Sequence, residues 1–470
     1  MFVEAGAGNF IDEAKIEAVL ASHRSTDAVR VREILAKARE LKGLSLEDVA
    51  ALSTVNDPAL LDELFHTAKW AKDEIYGSRL VLFAPLYFSN ICGNNCTYCA
   101  FRAANRELVR RVLTPAEVAE ETRLLVEQGH KRVLLIAGEA YPADMGGFDY
   151  VLRCIEACYG VKVGRGEIRR INVNVAPLSV EQFKQLKAAR IGTYQLFQET
   201  YHRATYAQVH PSGKKKDYDY RVTVMDRAME AGIDDVGIGP LFGLYDWKFD
   251  LLATMQHIAH LEQKFGVGPH TISMPRIEPA VGSELASSPP HAVSDLDFKK
   301  IVAILRLAVP YTGLILSTRE TPAMRRELLA LGISQMSAGS RTNPGGYGEA
   351  AREEEVASQF EVSDHRNMDE VIRDVASMGY VPSFCTGCYR LGRTGGDFMD
   401  LAKPGEIKYH CAPNALSTFQ EYLEDYASPL TRAVGEDLIR KTVDGMDEQQ
   451  RTISNALLKQ VRGGKRDVFV

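Results

Sequence analysis

The spacing of apolar and polar residues divides the chain near residue 79. Before this point, apolar residues recur at helical spacing, as over 27–41 and 57–75, which predicts amphipathic helices. After it, short runs rich in β-branched and aromatic residues alternate with helical stretches. The predicted strands are 80–87, 132–137, 169–175, 193–197, 235–239, 271–275, 313–317 and 334–337. Eight strands that alternate with helices favour an α/β fold, a parallel (β/α)8 barrel of the TIM type, over an open doubly wound sheet.

Capping signals support the helices between the strands. Thr114-Pro115-Ala116-Glu117 combines an N-cap threonine, a proline at the first helical position and a glutamate that closes a capping box. Ser294 and Thr321 also precede amphipathic stretches and are predicted to begin helices. The last barrel helix is predicted over 368–378, where Gly379 ends it.

These patterns predict three parts in the chain of 470 residues. Residues 1–78 are predicted to form an N-terminal helical segment, residues 79–379 the barrel, and residues 380–470 a mainly helical C-terminal domain. The residues are 45% hydrophobic and 25% charged, which is usual for globular proteins.

Charge and hydropathy argue against several classes of function. The formal net charge of −6 is unfavourable for binding nucleic acid or an anionic membrane surface. The sequence has no apolar run of about 18 residues, and its first residues lack the basic and apolar regions of a signal peptide. We therefore expect a cytoplasmic protein without nucleic-acid or membrane partners.

The eight cysteines are the most informative residues, because clustered cysteines in a reducing compartment indicate metal sites rather than disulfides. Cys92, Cys96 and Cys99 form a C-x3-C-x2-C loop directly after the first predicted strand. Structural zinc and iron–sulfur sites normally have four protein ligands, so three leave one position open. A zinc loop with a remote fourth ligand is the alternative. Cys154 and Cys158 lie on a predicted helix and are expected in the core.

Three further cysteines lie in the C-terminal domain. Cys385, Cys388 and Cys411 form a C-x2-C-x22-C pattern, again without a fourth cysteine. A zinc site closed by His410 or another histidine is the alternative. The first loop follows a strand and should lie at the top of the barrel, where barrel enzymes place their catalytic residues. The last barrel helix runs antiparallel to the strands and should therefore end at the bottom of the barrel. Cys385 and Cys388 follow this helix directly, so we expect the second site at the bottom.

Polar residues after the last two strands are candidates for binding a substrate. Arg319 is predicted to hold a substrate carboxylate, because a guanidinium pairs with a carboxylate through two hydrogen bonds. Ser337 and Ser340 could add hydrogen bonds to the same group, and turn formation is the alternative for both.

The first cysteine loop, with Tyr98 before its last cysteine, resembles the signature of the radical SAM superfamily. The resemblance implies a 4Fe–4S cluster on Cys92, Cys96 and Cys99. It also implies that S-adenosylmethionine (SAM) binds at the fourth iron, in a site that includes Tyr98.

Other residues resemble the SAM contacts of this superfamily. The segment Ala137-Gly138-Glu139 resembles the Gly-Gly-Glu segment that meets the methionyl ammonium group, with alanine in place of the first glycine. Arg221 resembles the arginine that binds the SAM carboxylate, and Glu199 resembles an acid that contacts the ribose or SAM. For Arg221 and Glu199 the alternative is a surface ion pair near the start of a helix.

The tail cysteines narrow the resemblance to the radical SAM tyrosine lyases that mature FeFe hydrogenase, because the tyrosine lyase of thiazole biosynthesis lacks them. The resemblance implies reductive cleavage of SAM and conversion of L-tyrosine to para-cresol and dehydroglycine. Dehydroglycine would then give CO and cyanide at a second 4Fe–4S cluster on Cys385, Cys388 and Cys411, where an Fe–CO–CN synthon is assembled. Other hydrogenase maturation proteins and an electron donor are the implied partners.

The second cluster of this family carries an extra iron, held partly by a histidine and a free cysteine. We assign the histidine to His270, which precedes the sixth strand and should therefore lie at the bottom of the barrel with Cys385. A solvent-facing loop histidine is the alternative. A small product must pass from top to bottom, so we expect an open path through a barrel interior that is ordinarily filled by side chains.

Two other functions fit the sequence. A tyrosine lyase that supplies dehydroglycine for thiazole synthesis would release it without forming CO and cyanide. A non-enzymatic iron–sulfur carrier or scaffold would hold iron at both sites and would need no SAM pocket.

Overall fold

The fold is a closed barrel of parallel strands surrounded by helices, as a computed structural model describes it for residues 10–25, 27–141, 143–348 and 357–470. Within these residues, each strand pairs in parallel with the next, and the eighth pairs with the first. The strands are β1 (Arg79–Ser89), β2 (Arg132–Ala137), β3 (Arg170–Asn174), β4 (Tyr194–Gln195), β5 (Val236–Ile238), β6 (Thr271–Ser273), β7 (Gly313–Leu316) and β8 (Gln335–Ser337). The predicted (β/α)8 barrel is confirmed.

Helices before the barrel cover part of its outer surface. They are α1 (Glu13–Ser22), α2 (Ala28–Ala38), α3 (Leu46–Ser53) and α4 (Pro58–Tyr76). The side chains of Asp27 and Asp57 accept hydrogen bonds from the first turns of α2 and α4, so both helices begin where the sequence pattern predicts. Leu64, Ala68 and Ala71 of α4 are fully buried, because this face packs against barrel helices.

Helices on the outside of the barrel connect its strands. They are α5 (Pro115–Glu127), α6 (Phe148–Gly160), α7 (Val180–Ala188), α8 (Arg203–Val209), α9 (Tyr218–Val222), α10 (Val224–Glu230), α11 (Trp247–Phe265), α12 (Glu284–Ser287), α13 (Asp295–Ala308), α14 (Pro322–Leu331) and α15 (Met368–Ser377). Thr114 forms the predicted capping box of α5, and Ser294 and Thr321 cap α13 and α14. Cys154 and Cys158 of α6 lie fully buried in the apolar core, as expected.

A ninth strand of the barrel sheet, β9 (Val381–Ser383), connects the barrel to the C-terminal region. Val81 of β1 is in register with Gln335 of β8 and also with Ser383 of β9, so β9 pairs with the first residues of β1 at the bottom of the barrel. The region beyond β9 is mainly helical, with α16 (Gly387–Arg390), α17 (Gly395–Ala402), α18 (Lys408–Asp425), α19 (Pro429–Asp444) and α20 (Glu448–Arg462). None of the described helices is long and apolar enough to span a membrane.

The last residues, 466–470, turn back along α18. Ser417 donates a hydrogen bond to the Val468 carbonyl oxygen at 2.7 Å. Asn414 exchanges two hydrogen bonds with the main chain of Val470, at 2.9 and 3.0 Å. The segment therefore lies against the helix that carries Cys411.

Candidate metal centres and substrate cavity

Two cavities lie at opposite ends of the barrel, and each contains one of the cysteine sets. The first lies at the carboxyl ends of the strands and holds about 1420 Å³ of unfilled space, counted to its open mouth. The second lies at the amino ends of the strands and holds about 560 Å³. The predicted separation of the two sites to the top and bottom of the barrel agrees with this arrangement.

Cys92, Cys96 and Cys99 line the first cavity together with Tyr98. The Asn94 main-chain N–H donates to the Cys92 sulfur at 3.5 Å, and the Gln359 side chain donates to the Cys99 sulfur at 3.8 Å. Burial raises the pKa of Cys96 to about 12 and that of Cys99 to about 11. These thiols are therefore protonated at neutral pH without a metal, and metal binding must displace their protons.

Three of the predicted SAM contacts form one buried ionic network on the cavity wall. Arg221 donates to Glu139 at 2.8 Å and lies 3.5 Å from a Glu199 carboxylate oxygen. Asn94 of the cysteine loop donates to the other Glu139 oxygen at 2.8 Å. Burial alone would raise the pKa of Glu139, but Arg221 and Lys215 hold it below its ordinary value. The alternative of a surface ion pair is wrong for Arg221 and Glu199, since both are buried.

Gly138 allows the segment after β2 to approach the cysteine loop closely. A Cβ atom at this position would lie 2.2 Å from the Ile91 carbonyl oxygen. The Gly138 N–H donates to the Ser89 carbonyl oxygen at 2.8 Å. The neighbouring Ala137 lines the cavity, so the departure from a glycine at that position is accommodated.

Glu199 has a left-handed backbone conformation, with φ of 76°, which is strained for a residue other than glycine. The buried Asp250 of α11 holds the following residues, because one of its oxygens accepts from the Thr200 hydroxyl at 3.0 Å and from the Tyr201 N–H at 2.8 Å. The Glu199 carbonyl oxygen accepts from the Leu241 N–H at 2.7 Å. These contacts fix the strained turn that aims the Glu199 carboxylate into the cavity.

Lys215 is a residue of this wall that the sequence analysis missed. It lies in the middle of Lys214-Lys215-Lys216, a run typical of a solvated loop, yet it is buried while its two neighbours are exposed. Its ammonium group donates to Glu199 at 2.5 Å. Composition alone gives no sign of this, because the burial of Lys215 depends on how its loop folds over the cysteine loop.

Arg319 lies across the same cavity, near Ser337 and Ser340. Its guanidinium stacks on the Phe360 ring at 3.3 Å from the ring centre and has no hydrogen-bond partner among the described side chains and backbone groups. The Ser340 hydroxyl is buried and likewise unpartnered within the described residues. Burial and Glu320 raise the pKa of Glu278, which also lines this region, to about 7. The arrangement therefore offers one unsatisfied cation and one hydroxyl for an anionic group.

Cys385, Cys388, Cys411 and His270 all line the second cavity. The Gly387 N–H donates to the Cys385 sulfur at 3.3 Å, and a hydrogen bond from Cys388 lowers the pKa of Cys411. His410, the histidine named for a zinc site, is not among the described residues that line this cavity, whereas another histidine, His270, is. The structure thus brings the predicted histidine, His270, to the three tail cysteines.

His270 is held in the form that binds metals. Burial lowers its pKa, so the imidazole is neutral. Its Nε2 atom lies 3.3 Å from the Tyr389 hydroxyl, and its Nδ1 atom is 3.6 Å from an Asp235 oxygen. The alternative of a solvent-facing loop histidine is wrong, because the side chain is almost fully enclosed.

Arginines give the second cavity a positive lining that the sequence analysis did not anticipate. Arg79 and Arg132, the first residues of β1 and β2, line it together with Arg393. The Nε atom of each is buried without a hydrogen-bond partner among the described residues. Arg170, the first residue of β3, stacks on Tyr389 at 3.4 Å from the ring centre. The sequence did contain a signal for this positive lining, because an arginine begins each of three successive strands.

Small and polar residues contribute to the barrel interior between the cavities, beside an apolar cluster of Phe83, Leu134 and Ile315. Gln195 lines the first cavity, and Gly313 and Gln335 line the second. A Cβ atom on Gly313 would lie 2.6 Å from the Gln335 amide nitrogen, and one on Gly237 would lie 2.6 Å from the Thr271 hydroxyl. The side chains of Gln335, Thr271 and Gln195 therefore occupy this space, and the described residues do not show the open path that the sequence led us to expect.

Comparisons with known proteins agree with this site. Residues 86–256 match the radical SAM superfamily, and residues 273–381 match the biotin and thiamin synthesis associated domain. The 2-iminoacetate synthase of Escherichia coli (strain K12) is 33% identical over 351 residues, which cover 74% of this chain and 89% of that protein. A crystal structure of HydG, a maturase of the FeFe hydrogenase, is 48% identical, with a TM-score of 0.94 over 98% of this chain and 100% of that chain.

The chain belongs to the HydG family of radical SAM enzymes. The structure of the FeFe-hydrogenase maturase HydG from Carboxydothermus hydrogenoformans is also similar, at 39% identity and a TM-score of 0.83, over 97% of this chain and 100% of that chain. Membership in the HydG family implies a 4Fe–4S cluster and SAM as cofactors.

The first cavity fits the cofactors of the HydG family. Three thiols on one loop supply the ligands of a cluster, and the close approach of Gly138 keeps the neighbouring wall free of side-chain bulk. Glu139 and Glu199 supply acceptors for an ammonium group and for hydroxyl groups. The same cavity is also lined by Arg319, Ser337 and Ser340, which lie apart from these acceptors and could contact a second molecule.

Proposed function

We propose that this HydG-family enzyme is a carbon–carbon lyase that cleaves L-tyrosine to para-cresol and dehydroglycine at the first cavity. We further propose that it converts dehydroglycine to CO and cyanide at the second cavity, to build an Fe–CO–CN synthon for the hydrogenase. The observation that carries the proposal is the presence of a cysteine set in each of two cavities at opposite ends of one barrel.

At the first site, Cys92, Cys96 and Cys99 would hold the cluster, which together with SAM supplies the radical chemistry when both are bound. Tyr98 and the segment 137–139 would line the SAM site. Glu139 would accept hydrogen bonds from the methionyl ammonium group, and Glu199 would accept from the ribose or another SAM group. Arg221 already contacts both carboxylates, so a SAM carboxylate would join a network that exists before binding.

Arg319 would hold the carboxylate of the amino-acid substrate. Its guanidinium is half-buried, stacked on Phe360 and free to form two hydrogen bonds with that carboxylate. Ser340 would donate a third hydrogen bond from its unpartnered hydroxyl, and Ser337 lies beside it. These residues face the cluster loop across one cavity, so they would orient tyrosine toward the bound SAM.

At the second site, Cys385, Cys388 and Cys411 would hold the other 4Fe–4S cluster, and His270 would bind an extra iron together with a free cysteine. The positive charges of Arg79, Arg132 and Arg393, whose Nε atoms have no partner among the described residues, favour anionic groups in this cavity, such as thiolates and cyanide. The small and polar interior of the barrel would form the passage for dehydroglycine. The product would pass to other hydrogenase maturation proteins, and electrons would come from an external donor.

A lyase that releases dehydroglycine without making CO is the second candidate. The 33% identity to a protein named 2-iminoacetate synthase favours it. The cysteine-lined second cavity is the feature that this candidate leaves without a role in product formation. The scaffold alternative leaves the ionic network of Glu139, Glu199 and Arg221 unexplained.

The test is anaerobic turnover of the reconstituted full-length chain with SAM, dithionite and L-tyrosine, with all products assayed together. The proposal expects para-cresol, cyanide and CO. Para-cresol alone, with both clusters shown to be loaded, would support the second candidate. No para-cresol from loaded protein would contradict the lyase assignment.

A further inference from the structure

Lys215 joins the cysteine loop to the SAM side of the first cavity. Its main-chain N–H donates to the Asn94 side chain at 2.9 Å, and its ammonium group donates to Glu199 at 2.5 Å. The ammonium group also lies 5.6 Å from the centre of the Tyr98 ring. Lys215 is therefore held both through its main chain and through its ammonium group. Its burial is unusual, because lysine is seldom fully buried in proteins.

The loop that carries Lys215 follows the cysteine loop closely. The Thr97 N–H donates to the Val209 carbonyl oxygen at 3.0 Å, and the Asn95 N–H donates to the Ser212 carbonyl oxygen at 3.1 Å. Gly213 has φ of 93°, and a Cβ atom there would lie 2.4 Å from the Asn94 side-chain oxygen. These contacts set the position of Lys215 relative to Cys92, Cys96 and Cys99.

The charges on this wall balance only when Lys215 is included. Glu139 and Glu199 carry two negative charges, and Arg221 and Lys215 carry two positive charges. Burial and Arg221 act to lower the pKa of Lys215, but Glu199 and Glu139 keep it above its ordinary value, so the side chain is charged. Without Lys215, one negative charge would remain uncompensated beside three thiolate ligands, where Coulomb interactions are strong.

We propose that Lys215 is a positioning residue that neutralises Glu199 beside the first cysteine site and thereby makes reduction of a cluster held there easier. This inference rests on the proposed function, since it assumes a cluster on Cys92, Cys96 and Cys99. The electron comes from an external low-potential one-electron donor and reduces one ferric iron of the cluster. No bond is broken in this step, and no proton is required.

The test is a redox titration of the full-length chain in the absence of SAM. The electron paramagnetic resonance signal of the reduced first cluster is the readout. Cys385→Ser and Cys411→Ser are included in every sample, so that the second site contributes no signal. Lys215→Met should lower the midpoint potential, so that the ratio of reduced to oxidised cluster at the reference midpoint falls about tenfold, or ~59 mV for one electron.

Four variants serve as controls. Lys216→Met removes an exposed neighbouring charge and should leave the midpoint potential unchanged. Lys215→Arg keeps the positive charge, so its midpoint potential should stay near the reference value. Glu199→Gln should shift the potential upward, because it leaves Lys215 uncompensated. The double variant Lys215→Met with Glu199→Gln should return toward the reference value. A role in packing alone would not give shifts of opposite sign.

The outcomes separate this inference from the proposed function. A reference protein that assembles no reducible cluster would overturn both. A loaded cluster with the same potential in Lys215→Met and Lys216→Met would overturn only the role of Lys215. If Lys215→Met fails to assemble a cluster, Glu199→Gln decides the matter, since an unchanged or lowered potential there contradicts the inference.

Discussion

At the residue scale, side chains of the first cavity differ in how far their bonding groups are already engaged. Glu139, Glu199, Lys215 and Arg221 are hydrogen-bonded to one another before any ligand binds. Arg319 stacks on an aromatic ring and keeps its donors unused within the described residues. The side of the cavity proposed to bind SAM is therefore preorganised, whereas the side proposed to bind the substrate has bonding capacity that a carboxylate would satisfy.

Replacing Arg319 tests the substrate assignment. Arg319→Gln removes a bidentate, charge-assisted contact of about 2–3 kcal/mol, so the KM for tyrosine should rise about 30- to 150-fold. SAM affinity should stay at the wild-type value, because Arg319 lies away from the SAM wall. Arg319→Lys keeps the positive charge but cannot form two parallel hydrogen bonds, so its KM for tyrosine should lie between those of the wild type and Arg319→Gln. Steady-state kinetics with para-cresol detection measures this, and an unchanged KM for Arg319→Gln would remove Arg319 from the substrate site.

Ala137 and Gly138 provide a matched pair of substitutions. Gly138→Ala places a Cβ atom 2.2 Å from the Ile91 carbonyl oxygen, so the backbone must move beside the cysteine loop. We expect a loss of about 1–3 kcal/mol in unfolding free energy and weaker SAM binding. Ala137→Gly should cost less than about 1 kcal/mol and should bind SAM normally. Equal SAM affinity in the two variants, measured by equilibrium dialysis, would contradict the role given to Gly138.

Some of these residues could be found from the sequence and others could not. The cysteine sets, Glu139 and Arg319 stand at fixed spacings or directly after predicted strands. Lys215 could not be found, because only the fold of its loop over Asn94 distinguishes it from its exposed neighbours. The hold of Asp250 on the strained Glu199 turn depends on a contact between residues 50 positions apart.

At the element scale, the tail segment 466–470 connects the two elements that carry the second cysteine set. Asn414, on the helix of Cys411, binds the main chain of Val470. Phe469 lies against Gly387, where a Cβ atom would be 3.0 Å from its ring. The segment therefore fixes the Cys385–Cys388 turn relative to α18.

Phe469→Ala should loosen this connection. We expect iron to be lost from the second site and CO formation to fall, while para-cresol formation stays near the wild-type rate, because the first cavity lies at the other end of the barrel. Lys465→Ala, just before the segment, is the control. Iron content and Mössbauer spectra of the purified variants measure the effect. Full iron content and CO formation in Phe469→Ala would show that the segment does not position the cysteines.

The elements themselves were largely predictable, because short apolar runs between capped helices leave few alternatives. The ends of strands were less so: 193–197 was predicted, whereas β4 spans Tyr194–Gln195. The residues just beyond it turn toward Glu199, and this turn is set by contacts with Asp250 and Leu241 rather than by local pattern. The addition of β9 to the bottom of β1 was also not predicted, since it depends on pairing across 300 residues.

At the scale of the whole molecule, the barrel separates two chemically different cavities with a layer of small and polar residues. Gly237 and Gly313 lie in this layer, where the side chains of Thr271, Gln195 and Gln335 pack against them. If dehydroglycine crosses this layer, substitutions in the layer should change CO formation without affecting tyrosine cleavage.

Thr271→Leu tests the passage by adding bulk to this layer. If dehydroglycine crosses this layer, the ratio of CO to para-cresol should fall to about a tenth or less, because leucine adds bulk to an interior that is already closely packed. Thr271→Val keeps nearly the same volume and is the matched control. Thermal unfolding of both variants shows whether the barrel tolerates the change. A folded Thr271→Leu variant with the wild-type ratio would place the route outside the barrel interior.

The central claim is that one chain divides two reactions between its two cysteine sites. The most direct test is the yield of para-cresol and CO from Cys385→Ala and Cys96→Ala, each with its remaining cluster verified. The account predicts that Cys385→Ala makes para-cresol at the wild-type rate but no CO, and that Cys96→Ala makes neither. CO formed by Cys385→Ala in the wild-type ratio to para-cresol would contradict it.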